Sequence, residues 1–259
     1  ELTYPINMEA KVEPVLMDSA DGARIYRRSL TFLLEKAFND LYPDGILYVD
    51  HSVASGGYYC QVSGREPLSE TEIEALKSHI QKLIEADLPF ERREVPLGEA
   101  IEYFRSKGYE DKVALLKYRK KGYLTLYRLE NHMDYHHGYM VPSTRYLGVF
   151  DLVITNGGFT LIYPRRHKPD ELQPVPGYPK LLTAFRQYGG WLARLGIENV
   201  GSLNEAIESG RADERPGPAA AAVASPPRAT ARRGFVPWAV AALALLAAAS
   251  LGIAWRQAT

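Results

Sequence analysis

The chain changes character at Gly210, and that seam limits what can fold as one body. Up to it the sequence is rich in Tyr, Lys, Glu and Leu, with a modest acidic excess. Beyond it there is no lysine and no tyrosine, and roughly a third of the residues are alanine. Residues 211–234 open with RADERPGPAAAAVASPPRATA, small residues and prolines that cannot bury enough area to offset chain entropy, so they read as a linker. The next stretch, Phe235–Trp255, carries no charge and is about twenty residues long, enough for a helix to cross a hydrocarbon core of about 30 Å. Trp238 and Trp255 lie near its ends, and Arg228, Arg232 and Arg233 precede it while only Arg256 follows. These features read as a tail anchor in the inner (plasma) membrane of a bacterium, with the globular part in the cytoplasm. A reading-frame shift in a GC-rich gene, or a soluble helix, are the alternatives for the same composition. The start at Glu1 rather than methionine reads as a truncated or processed N-terminus.

The 259 residues allow one large or two small domains. With 46% hydrophobic and 24% charged residues there is material for a core, and disorder over the full length is excluded. The 31 basic and 31 acidic residues balance, which argues against a sequence-independent DNA binder. Cys60 stands alone, so an intramolecular disulfide and a multi-cysteine zinc site are excluded.

Leu2–Ile6 and Lys11–Met17 read as short strands. Ser19-Ala-Asp-Gly supplies cap chemistry for a helix from about Ala23 to Leu41, in which Ile25, Leu30, Leu33, Leu34, Ala37 and Phe38 recur at helical spacing. The opposite face carries Arg27, Arg28, Glu35 and Lys36. Ile46–Val53 and Tyr58–Val62 form a strand pair. Ser69-Glu-Thr-Glu72 is a capping box that opens a helix to about Ala86. Phe90–Val95 is a strand, Leu97–Arg105 and Asp111–Tyr118 are helices, and Tyr123–Leu129, Tyr146–Thr155 and Phe159–Tyr163 are strands. Pro179–Leu195, weakened at Gly189-Gly190, and Ser202–Ser209 close the series as helices. Without a regular βαβ rhythm the expected class is α+β.

No GxxxxGK[ST] loop, GxSxG elbow or HExxH pair occurs, which excludes a P-loop kinase within this chain. The densest set of ligand-type side chains is Asn131-His-Met-Asp-Tyr-His-His137. A metal there would need His51 or His167 to join from elsewhere; the segment reads as a polar loop with surface histidines, and no metal is assigned. Cys60, in a strand, reads as a small buried residue rather than a nucleophile. Arg24, Arg27 and Arg28 read either as an anion-binding patch or as a solvated helix face.

The order of segments resembles known families. ELTYPI with Lys11–Met17 resembles the last strands of a TGS domain. GARIYRRSLTFLLEKAFNDLYP, HSVASGGYYCQV, the helices SETEIEALKSHIQKLIEADLPFERREVPLGEAIEYF and the segment NHMDYHHGYMVPSTRYLGVFDL resemble the second additional, editing domain of threonyl-tRNA synthetases. RIYRRSL, GGYYC, GYMVPST and FDLVITNGGFTLIYP resemble the front half of bacterial uridine kinase-like nucleoside kinases. The resemblance covers about residues 1–210 and implies four segments: a partial TGS-like segment (1–20), an editing-like α+β domain (21–210), a linker (211–234) and a transmembrane helix (235–255).

In the synthetase editing domain an HxxxH pair and a CxxxH pair gather in one cleft that hydrolyses mischarged tRNA. Aligned on Leu-Tyr-Pro and Val-Pro, the first pair falls on Arg28 and Phe32 and the second on His136 and Met140. Phenylalanine and methionine transfer no proton, so the hydrolytic set reads as dismantled. In the kinases, a segment like GSLNEAIESG leads into a P-loop domain that uses ATP and magnesium; here the linker stands in its place, so neither cofactor is assigned.

The resulting expectation is a non-catalytic nucleotide-, nucleoside- or RNA-binding regulatory module of a uridine kinase-like protein, with Arg28, Tyr59, Asp134 and His136 as cleft contacts and no DNA partner. A truncated or frameshifted ATP-dependent nucleoside kinase and an aminoacyl-tRNA editing hydrolase are the alternatives.

Overall fold

The computed structural model describes residues 6–53, 56–155, 157–174, 179–197 and 199–210. The helix α1 (Ala20–Leu41) organises what surrounds it. The Ser19 hydroxyl accepts the Gly22 amide at 3.0 Å and donates to the Leu16 carbonyl at 2.7 Å, closing the helix start. Glycine is required at position 22, because a β-carbon there would stand 1.9 Å from the Leu16 oxygen. Leu30, Leu33, Leu34, Ala37 and Phe38 are fully buried, as their spacing predicts. The Tyr42 amide ends the helix on the Phe38 carbonyl at 2.8 Å.

The opposite, charged face of α1 is largely covered as well. Lys36 is buried, and Arg27, Arg28 and Glu35 are half-buried. The helix is covered on more than one side, so one apolar stripe does not account for all its contacts.

Seven strands are described: β1 (Ile46–Val53), β2 (Gly57–Ser63), β3 (Glu91–Pro96), β4 (Tyr123–Leu129), β5 (His132–Tyr135), β6 (Asp151–Thr155) and β7 (Gly158–Ile162). They form two antiparallel sheets, ordered β1-β2-β7-β6 and β3-β4-β5. Helix α2 (Glu70–Glu85) begins with the expected reciprocal box. Glu72 accepts the Ser69 amide at 2.9 Å, and this bond, with help from Arg65, holds its carboxyl below the usual range. Ile73, Leu76, Ile80 and Ile84 join the residues of α1, β2 and β7 in one core. Four more helices follow: α3 (Leu97–Ser106), α4 (Glu110–Leu116), α5 (Pro179–Arg194) and α6 (Val200–Glu208). The class is α+β, as expected.

The chain divides into two compact units: Glu1–Pro96 with Tyr123–Gly177, and Leu97–Gly122 with Tyr178–Thr259. The first holds both sheets, α1 and α2. The second holds the remaining helices, with Ala100, Phe104, Val113, Leu116 and Ala206 buried.

Two expectations about elements need correction. Lys11–Met17 forms no strand, and Val12 is 74% exposed; Pro14 removes an amide from the middle of the segment. The strand expected over Tyr146–Thr155 is a short 3-10 turn, Thr144–Leu147, followed by β6. The expected closing helix is present as α5, Pro179–Arg194. Of the other expected strand, Leu2–Ile6, only Ile6 lies within the described residues. The linker and the expected span Phe235–Trp255 lie outside them, and no helix among the described residues is long and apolar enough to cross a membrane.

Candidate functional site

The segment expected to be a polar loop is a hairpin. Leu129 pairs with His132 across a two-residue turn in which Glu130 takes a left-handed conformation, φ 53°. The buried Lys36 ammonium holds that turn, 3.1 Å from Glu130, while also bonding both Asp40 oxygens at 2.7 and 2.6 Å. Along β5 the side chains alternate, and the two buried positions are His132 and Asp134. Polar residues therefore occupy the inward places of this strand, which hides it from a search for apolar alternation.

Phe32 is fully buried between imidazoles, its ring 4.8 Å from that of His132 and 5.5 Å from that of His136. One turn further along α1, the Glu35 carboxylate lies 3.8 Å from Nε2 of each histidine. Asn39, another turn on, contacts Nδ1 of His132 at 3.3 Å. Phe32, Glu35 and Asn39 thus follow the i, i+3, i+7 face of one helix against β5 and its exit.

The exit itself, residues 136–141, is docked by side chains. Arg28 donates to the Tyr139 carbonyl. Ser29 Oγ accepts the Val141 amide at 2.9 Å, and the Tyr127 hydroxyl donates to the Gly138 carbonyl at 2.8 Å. Partial burial lowers the Arg28 pKa from its ordinary value, yet a guanidinium remains charged across the physiological range. Beside it a cavity of about 340 Å³ is lined by Arg24, Arg27, Arg28, Thr31, Val49, Tyr58 and His136. Arg24, Arg27 and Arg28 put positive charge on this cavity, which favours an anionic ligand, while Arg24 also pairs with Asp21 at 3.0 Å and Arg27 Nε donates to the Ala23 carbonyl at 3.2 Å.

Of the four expected cleft residues, Arg28 and His136 line the cavity. Asp134 is not in its lining; it is buried on β5, its carboxylate accepting the Tyr135 amide at 2.6 Å. Tyr59 does not line it either. Neighbouring strand residues point to opposite faces, and Tyr58 takes the cavity side while the Tyr59 ring sits 5.2 Å from that of His51. The two tyrosines therefore face opposite sides of the sheet.

Glu35 and Tyr58 were not singled out from the sequence. For Glu35 the available signal is its position seven residues after Arg28, on the same helix face. Cys60 is fully buried and burial pushes its thiol up to about 12, so it is no nucleophile at neutral pH, as expected.

Chemically, the site combines imidazoles and a carboxylate beside an anion-binding cavity. The position of the second motif histidine is filled by Phe32, and Met140 is half-buried against the core. Glu35 and His136 are the groups beside the cavity that can exchange protons.

No family model matches the chain. Curated relatives do match. The chain is 31% identical over 149 residues to a threonine–tRNA ligase of Lawsonia intracellularis, covering 58% of this chain and 23% of that protein. It is 32% identical over 160 residues to the threonine–tRNA ligases of Laribacter hongkongensis and Methylococcus capsulatus, covering 61% of this chain and 25% of each. The matched region is thus threonyl-tRNA synthetase-like, and the chain spans about a quarter of the length of these relatives. These matches overturn the expected context of a uridine kinase-like regulatory module, because the relatives are tRNA ligases rather than nucleoside kinases.

Proposed function

We propose that the chain is an aminoacyl-tRNA editing domain, which binds the charged 3′ end of a tRNA and hydrolyses its aminoacyl ester. The observation that carries this reading is the Glu35 carboxylate 3.8 Å from Nε2 of His136, at the wall of a cavity with three arginines. The similarity to threonine–tRNA ligases supports the choice of a tRNA end as ligand.

In this reading Arg24, Arg27 and Arg28 hold the terminal phosphates, and the Tyr58 ring offers an apolar face to a base. His136 takes a proton from a water as that water attacks the ester carbonyl. Glu35 stabilises the imidazolium that forms. The tetrahedral oxyanion then collapses, the bond to the ribose oxygen breaks, and His136 returns the proton to that oxygen. The products are a free amino acid and an uncharged tRNA.

The test is deacylation of threonine-specific tRNA charged with threonine or with serine. Serine lacks one methyl group, a difference a pocket resolves poorly by binding alone. The chain is expected to release one of these amino acids at least tenfold above the buffer rate. Binding with no release from either substrate overturns the proposal.

A further inference from the structure

We infer that Glu35, His132 and Asp134 form a binding site for one divalent transition-metal ion, zinc being the best fit. The three side chains offer ligand atoms that all lie within 4.8 Å of one another. A tetrahedral zinc shell with ligand bonds of about 2.0–2.2 Å places its ligand atoms about 3.3 Å apart, so the widest pair must close by up to about 1.5 Å. Glu35 supplies its part of that movement, since its side chain is half-buried and turns about several single bonds, and the Asp134 carboxylate turns toward His132 for the rest.

The second observation is His132 itself. It is 9% exposed, and its Nε2 is buried without a hydrogen-bond partner; Glu35, at 3.8 Å, is too distant to be one. A buried imidazole nitrogen left in this way carries a desolvation cost that a metal ion between it and the carboxylate removes. Asn39 at Nδ1 provides the supporting contact that a ligating histidine needs. With its amide turned so that Oδ1 faces the ring, Asn39 accepts Nδ1–H and leaves the Nε2 lone pair directed at the site.

Strand pleating places His132 and Asp134, two residues apart, on the same inward side of β5, and α1 brings Glu35 to meet them. One imidazole and two carboxylates suit zinc or its borderline neighbours, whereas magnesium is held by oxygen ligands and keeps several waters. Two carboxylates compensate the charge of a divalent ion, so burial of the complex carries no net charge. An open fourth position would be filled by water. The site does not depend on the hydrolytic reading: zinc bound without deacylation leaves the site standing, and deacylation without zinc leaves the editing reading standing.

The experiment is equilibrium dialysis of the tag-free full chain against zinc, with metal and protein both quantified, for the wild type, Glu35→Gln and Asp134→Asn. One zinc per chain is expected, with affinity at least tenfold weaker in each variant and circular dichroism unchanged. Less than a fifth of an equivalent bound by the wild type, or full affinity in both folded variants, overturns the assignment. Zinc-edge X-ray absorption on the wild type covers the case of variants that do not fold. A shell with one imidazole and otherwise oxygen is expected, and two or more imidazoles would contradict the assignment.

Discussion

The Arg28 guanidinium lies against the backbone of Gly138, where an added β-carbon would stand 2.9 Å from Nη2. Gly138 also has φ 88°, a conformation that side chains other than hydrogen rarely adopt. The two residues together fix the exit of β5 on α1 and so set one wall of the cavity.

Gly138→Ala therefore meets both a strained backbone and a displaced guanidinium. It is expected to lower stability by about 1–2 kcal/mol and to weaken binding of a short RNA oligonucleotide. Urea denaturation and fluorescence anisotropy check the two effects separately. Unchanged values in both would mean that the loop is not held by this contact.

Lys36 joins α1 to the β4–β5 turn through Asp40 and Glu130. Lys36→Ala removes a buried ammonium from two carboxylates that are themselves open to water, and Asp40 keeps His79 Nε2 at 2.9 Å, so the expected cost is about 1 kcal/mol. The double change Lys36→Met with Asp40→Asn removes both charges and is expected to recover most of that loss. Denaturation curves of the single and double variants decide it.

Much of α1 and α2 was legible, because Ser19 and Ser69 are caps with a mechanism and the leucines that follow repeat at helical spacing. Strand β4 was legible for a similar reason: Leu124, Leu126 and Tyr127 are buried and the segment is rich in strand formers. Strand β5 was not, since His132 and Asp134 occupy the positions where a pattern search expects apolar side chains. The burial of Lys36 and the half-burial of Glu35 were not legible, because a sequence shows one apolar stripe and not the other elements that close over the rest of the helix. Tyr58 and Tyr59 are chemically the same, so only the pairing register distinguishes them.

That register gives its own test. Tyr58→Ala is expected to weaken RNA binding by about tenfold, the scale of one lost base–aromatic stack. Tyr59→Phe, on the opposite face, is expected to leave affinity unchanged. Anisotropy titrations of both variants check the assignment, and the reverse pattern would place the binding face on the other side of the sheet.

Alkaline pH acts on three buried acids. Burial pushes Cys60, Tyr26 and Tyr163 each up to about 12, above the values of the unfolded chain. Between the unfolded and folded values the unfolded state has lost a proton that the native state keeps, so stability falls as pH rises. Cys60 alone contributes a loss of about 2 kcal/mol between pH 8 and pH 10, and the tyrosines add theirs above about pH 10. Urea denaturation at pH 8 and pH 10 is expected to show this decline, and a smaller one in Cys60→Ala.

The most direct measurement is a double-mutant cycle on deacylation with Glu35→Gln, His136→Ala and the pair combined. If the carboxylate acts through the imidazole, each single change slows release by about a hundredfold or more, and the double variant is little slower than His136→Ala alone. Rates that multiply, or a wild-type rate in either single variant, would contradict the Glu35–His136 pair as the working centre.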